Sequence, residues 1–228
     1  MNSTGRFPGK LYSQHMGIID GFEGDLGMVN LQDPRVLRTR QLIREAFREL
    51  LRNEEFEAIT IKDIAKKATI NRGTFYAHYE DKYALLDEIT EQFFYKRVPG
   101  QVMNAREFTA EICDQLILLA YHYIVDFYQI CRMDSKSIAA LVDEKIKKLL
   151  QQIIEGILSK GQNFDRHQIQ IISAMIGSTI YSAAHQWLNV EDNTRTDLLI
   201  NLVRPYVMKG LEQYDSCGKY TNGSPAAP

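Results

Sequence analysis

The sequence predicts an all-α protein in two parts, with short helices first and longer ones after. Three observations predict it. Between Leu31 and Cys217, proline stands only at 34, 99 and 205, and glycine at six places. A proline costs about 3 kcal/mol inside a helix, so such stretches permit long helices. Apolar residues recur three and four apart, and no run alternates in the manner of a strand.

The ends are read separately. Six of the fourteen glycines lie in residues 1–30, which have no sustained period and read as a flexible leader, with Met16 and Met28 as alternative starts. The segment 215–228 reads as a flexible tail. Cys113, Cys131 and Cys217 form no CxxC pair and are too few for a disulfide framework. No apolar run reaches the length of a membrane span, and the first residues lack the order of a signal peptide. A cytoplasmic protein is expected. The net charge of −2 excludes binding to nucleic acid through overall positive charge, but leaves room for a local basic face.

Pro34 suits a first helical turn, with Asp33 as its cap. Ile43, Ala46, Phe47, Leu50 and Leu51 then follow the spacing of a buried stripe. Thr60 caps a second helix carrying Ile61, Ile64, Ala65 and Ala68. Thr69-Ile70-Asn71 makes a tight turn, and Asn71 caps a third helix, Arg72 to Tyr79. Asp81 starts a fourth, with Leu85, Leu86 and Ile89 inward. Pro99-Gly100 marks the boundary between a domain at 33–98 and one at 99–214. The second domain reads as helices near 106–132, 135–160, 165–189 and 194–214, with Pro205 expected to kink or restart the last.

Two short helices joined by a three- or four-residue turn follow the helix-turn-helix plan, whose second helix enters the major groove of DNA. Ile61, Ile64, Ala65, Ile70 and Phe75 can lock the pair, leaving Arg72, Gly73, Thr74, Tyr76, Ala77 and His78 outward. Arginine, threonine, tyrosine and histidine offer donors, a methyl group and flat rings to base edges and phosphates. Glycine lets the backbone approach closely. Residues 33–79 hold ten basic and seven acidic side chains, a local excess of three positive charges in an otherwise acidic chain.

The run ITIKDIAKKATINRGTFYAHYEDKYALLDEI at 59–89, with RTRQLIREAFRELL at 38–51 before it, resembles the DNA-binding domain of the TetR/AcrR family of bacterial transcriptional regulators. The resemblance covers roughly residues 35–95. It implies three N-terminal helices, a connecting fourth, and a helical ligand-binding body that dimerises through its last two long helices. It also implies DNA contacts at Arg38, Thr60, Arg72, Gly73, Thr74, Tyr76, His78 and Tyr79, with Lys82 holding a phosphate.

In the body, Tyr121, His122, Phe127, Tyr128, Met175, Tyr181 and His185 are the candidate lining of an effector pocket, with core packing as the competing reading. The small residues Ser173, Gly177 and Ala184, together with Leu198, Leu202 and Tyr206, are the candidate dimer interface. The resulting expectation is a homodimer on a pseudo-palindromic operator in double-stranded DNA, more often a repressor than an activator, released by a small-molecule effector of unknown identity. No cofactor, metal or membrane partner is expected. The alternative is a TetR-like adaptor that senses a ligand and acts through a protein partner. An enzyme is disfavoured, because the chain has no HExxH, GxSxG or phosphate-binding loop.

Overall fold

The computed structural model describes residues 33–130, 136–161 and 164–217. Every regular element among them is a helix: α1 (Pro34–Asn53), α2 (Ile61–Lys67), α3 (Arg72–Tyr76), α4 (Lys82–Tyr95), α5 (Gly100–Asn104), α6 (Ala110–Ile130), α7 (Lys136–Gly161), α8 (Arg166–Trp187) and α9 (Thr196–Cys217). The described residues fall into two units, one ending at Arg38 and one from Thr39 onward. In the first, the Asp33 carboxylate accepts the Arg35 N–H at 2.8 Å and starts α1, and Arg38 is exposed.

The head core is built on the expected stripe. Ile43, Ala46, Phe47, Leu50 and Leu51 of α1 are buried, with Ile64 and Ala65 of α2, Phe75 of α3, and Leu85, Leu86 and Ile89 of α4. Phe47 meets Phe56 edge to face at 6.2 Å. Burying a phenylalanine contributes about 2–3 kcal/mol, so these rings carry much of the cohesion of a small domain.

The body differs from the expectation in three places. A short helix, α5, follows Pro99, which acts as its extended N-cap residue. Helix α6 starts at Ala110, later than expected. Helix α9 continues through Pro205 to Cys217, three residues into the expected tail. The expected break at Met133-Asp134, the leader 1–32 and the tail from 218 lie outside the described residues. Asp165 and Gln168 form a reciprocal capping box that sets the start of α8.

Head and body meet through α4. Lys145 of α7 bonds Asp87 at 2.7 Å and Glu91 at 2.9 Å, both on α4. Arg97, just past α4, bonds Asp126 of α6 at 2.7 Å. Arg204 of α9 bonds Asp114 of α6 at 2.8 Å. No helix among the described residues is long and apolar enough to cross a membrane.

Candidate functional site

Asn71 sets up the site. Its backbone is extended, and its Oδ1 accepts the Thr74 N–H at 2.7 Å and the Thr74 hydroxyl at 3.0 Å. A Cβ at Gly73 would meet that oxygen at 3.2 Å, so glycine leaves the cap its room. Helix α3 is short and buries one side chain, Phe75. Arg72, Gly73, Tyr76 and Ala77 are exposed and Thr74 is half-buried. The turn before α3 holds Thr69 at φ 57°, the one non-glycine residue with positive φ among the described residues. Sequence reading placed the turn but missed its strain, because only backbone geometry reveals it.

At the start of α2, Thr60 and Asp63 cap each other. The Asp63 N–H donates to the Thr60 hydroxyl at 3.2 Å, and the Asp63 carboxylate accepts the Thr60 N–H at 3.1 Å. The Thr60 hydroxyl also donates to the Asp63 carboxylate, and that bond first, then the one from the Thr60 N–H, holds the Asp63 carboxyl below its ordinary range.

Beneath α3, Glu88 of α4 gathers four donors: Arg40, Arg44 at 2.9 Å, the Tyr79 hydroxyl at 3.2 Å and Gln92 at 2.9 Å. Arg40 also donates to the His78 carbonyl at 3.2 Å and lies 4.6 Å over the Tyr79 ring. The segment after α3 is thus tied to both α1 and α4. Arg40 and Arg44 stand one turn apart, a spacing legible in the sequence. Glu88, 44 residues after Arg44, needed the tertiary fold to become their partner.

Lys82 is committed elsewhere. Its ammonium donates to the carbonyls of Phe56 at 2.8 Å, Ile59 at 3.0 Å and Glu57 at 3.2 Å. An ammonium has three donors, and here all three serve the turn between α1 and α2.

Comparison with known proteins agrees with this geometry. A family model described as "Bacterial regulatory proteins, tetR family" matches residues 43–89. Over these residues the chain is similar to that family. An HTH-type transcriptional regulator of Bacillus subtilis, YxbF, is 41% identical over 61 residues, 26% of this chain and 16% of that protein. The dhaKLM operon transcriptional activator DhaS of Lactococcus lactis is 34% identical over 56 residues, 25% of this chain and 30% of that protein. The matches thus span less than a third of either relative. Beyond the head, the likeness is one of fold. A TetR-family regulator from Streptomyces coelicolor superposes with a TM-score of 0.55 at 15% identity, over 77% of this chain and 96% of that one. A TetR transcriptional regulator from Streptococcus agalactiae gives 0.50 at 20% identity, over 78% and 97%.

The structure places the end of this segment differently from the sequence reading. Helix α3 ends at Tyr76 rather than Tyr79, so Tyr79 turns inward. It is 5% exposed, packs 5.8 Å from Phe75, and its hydroxyl is held by Glu88. His78 is half-buried with Nδ1 unpartnered, and burial followed by the Arg40 charge pulls its pKa below the ordinary value. The Lys82 ammonium, filled by three carbonyls, has no donor left for a phosphate in this arrangement.

The body residues separate in the same way. Ser173, Gly177 and Ala184 are buried within the chain, the first two against α7: Ser173 bonds Glu155 at 3.4 Å, and a Cβ at Gly177 would meet the Gln151 backbone nitrogen at 3.1 Å. They are not an outer interface. Leu198, Leu202 and Tyr206 are exposed along α9, and Ile171 and Met175 along α8. Met175 therefore lies on an outer face. Tyr121 and Tyr181 are buried, with their hydroxyls held by the Asn193 carbonyl at 2.9 Å and by Asp143. His185 stacks on Tyr181 at 6.1 Å, and Phe127 on Tyr123 at 6.1 Å. Of the expected pocket set, only His122 lines the 270 Å³ cavity beside Arg97, Pro99, Gln115, Leu118 and Leu119. The Tyr128 side chain lies outside the described residues.

Proposed function

We propose that this chain is a sequence-specific DNA-binding transcriptional regulator of the cytoplasm. The head at 33–98 reads the operator and the body at 99–214 dimerises and regulates. The observation that carries the reading is the capped helix α3, which rests on one buried side chain and turns Arg72, Gly73 and Tyr76 outward. Thr74 belongs to the same helix, and Thr60 caps the start of α2 before it. Such a helix offers side chains to base edges and exposed backbone to phosphates. Exposed Arg38 is a separate DNA-contact candidate on the first turns of α1.

A homodimer is supported by the apolar row Leu198, Leu202 and Tyr206, whose last two members are 68% and 73% exposed. With Ile171 and Met175, it makes a surface that a second copy can cover. Two-fold pairing matches a pseudo-palindrome with half-sites about 34–36 Å apart. Repression follows where the bound dimer blocks polymerase. An effector relieves it only by binding one spacing of the two heads better than the other. DhaS is named as an activator, so the sign is read out with a reporter gene. The test of the reading is a gel shift with DNA flanking the chain's own gene. A discrete complex lost on Arg72→Ala supports it, and failure to bind any duplex in low salt removes it.

A further inference from the structure

The fold has used some of the head's cations and left others outward. Arg40 and Arg44 are spent on Glu88, Lys67 on Glu49, and Lys82 on three carbonyls. On α2, Lys62 and Lys66 are exposed, and neither forms a salt bridge among the described residues. They stand one turn apart and so share a face. At about 100° per residue, Asp63 and Lys67 lie on one flank of α2 and Lys62 and Lys66 on the other. The first flank faces α1, because Lys67 reaches Glu49 there. The second adjoins Ala65, whose carbonyl accepts the Ile70 N–H at 3.0 Å just before α3 begins. Asp63, the acidic residue nearest in sequence, has its carboxylate bound into the Thr60 cap; it feels the charge of both lysines but forms a salt bridge with neither among the described residues.

We propose that Lys62 and Lys66 form a phosphate-binding pair on the α3 side of α2, taking the part that the resemblance implies for Lys82. The proposal rests on the reading of the chain as a DNA-binding regulator. The pair would meet the sugar-phosphate backbone beside the groove that α3 enters and would carry no base preference of its own.

The test measures affinity of the full chain for a labelled mixed-sequence duplex of about 40 base pairs across a range of salt. Each lost phosphate contact removes about 0.9 from the slope of log affinity against log salt. The double variant Lys62→Gln, Lys66→Gln is expected to lose about 1.8 per bound protomer, with an unchanged melting temperature. The exposed Lys96, at the end of α4, serves as a control, and Lys96→Gln is expected to leave the slope where it was. An unchanged slope in the double variant, or an equal loss per charge in the Lys96 variant, overturns the pair. A slope near zero in the parent defeats the DNA-binding reading itself, and the pair falls with it.

Discussion

The Lys82 ammonium lies 2.8 Å from the carbonyl oxygen of Phe56 and 4.5 Å from the centre of that residue's ring. One side chain thereby joins the first turn of α4 to the chain that enters α2. Lys82→Met keeps the apolar stem and deletes the charge. Hydrogen bonds to a charged group contribute about 1.5–3 kcal/mol each and do not add fully. A loss near 3 kcal/mol in denaturant unfolding is therefore expected, with the salt dependence of DNA binding unchanged. Full stability combined with a shallower salt slope would return Lys82 to the phosphate.

His78 makes stability sensitive to acid. Its folded pKa lies below the ordinary 6.5 because of burial and, secondarily, Arg40. The unfolded chain therefore takes up the proton first as pH falls. The contribution of the neutral ring is complete above about pH 6.5 and is lost as pH drops through the folded value. His78→Gln should flatten that acid-side decline. Denaturation midpoints at about pH 7.5 and 5.5 measure it, and an identical decline in both proteins assigns the effect to other groups.

Thr69 occupies the left-handed region at φ 57° in the turn between α2 and α3. A side chain with a Cβ costs about 1–2 kcal/mol there, and glycine pays almost none. Thr69→Gly is expected to raise stability by about 1 kcal/mol, after glycine's greater freedom in the unfolded chain is counted, or about 2–4 °C in Tm. A fall in Tm would show that the threonine side chain holds the turn in another way.

The two halves of the expected dimer interface should respond oppositely to substitution. Gly177→Val forces its new atoms against the α7 backbone, and overpacking of this kind costs about 1–3 kcal/mol. Leu202→Lys changes an exposed site and should leave the protomer folded; if the proposed dimer pairs through α9, light scattering reads a dimer for the parent and a monomer for the variant. A Leu202→Lys protein that remains dimeric would locate the pairing surface elsewhere.

The legibility of the head and the body differs for physical reasons. The head is organised by neighbours in sequence: the Asn71 and Thr60 caps, the spacing of Ile43, Phe47 and Leu50, and Phe75 as the one anchor of α3. Local rules of this kind act within a turn or two of helix. Spacing also shows that Ser173, Gly177 and Ala184 share a face of small residues, but not which helix lies against it. At Ser173 and Gly177 the chain's own α7 takes that place, and the outward residues are Leu202 and Tyr206.

The amino-acid order alone determined the all-helical architecture, the helix-turn-helix and the outward set at Arg72, Gly73 and Tyr76, because caps and apolar period are short-range properties. Only the tertiary structure decided where each long polar side chain is used. Lys82 and Lys62 are the same residue type on exposed-looking helix starts, yet one is satisfied by three carbonyls and the other is left to solvent. A flexible stem reaches whatever partner folding brings within range, and that partner is distant in sequence.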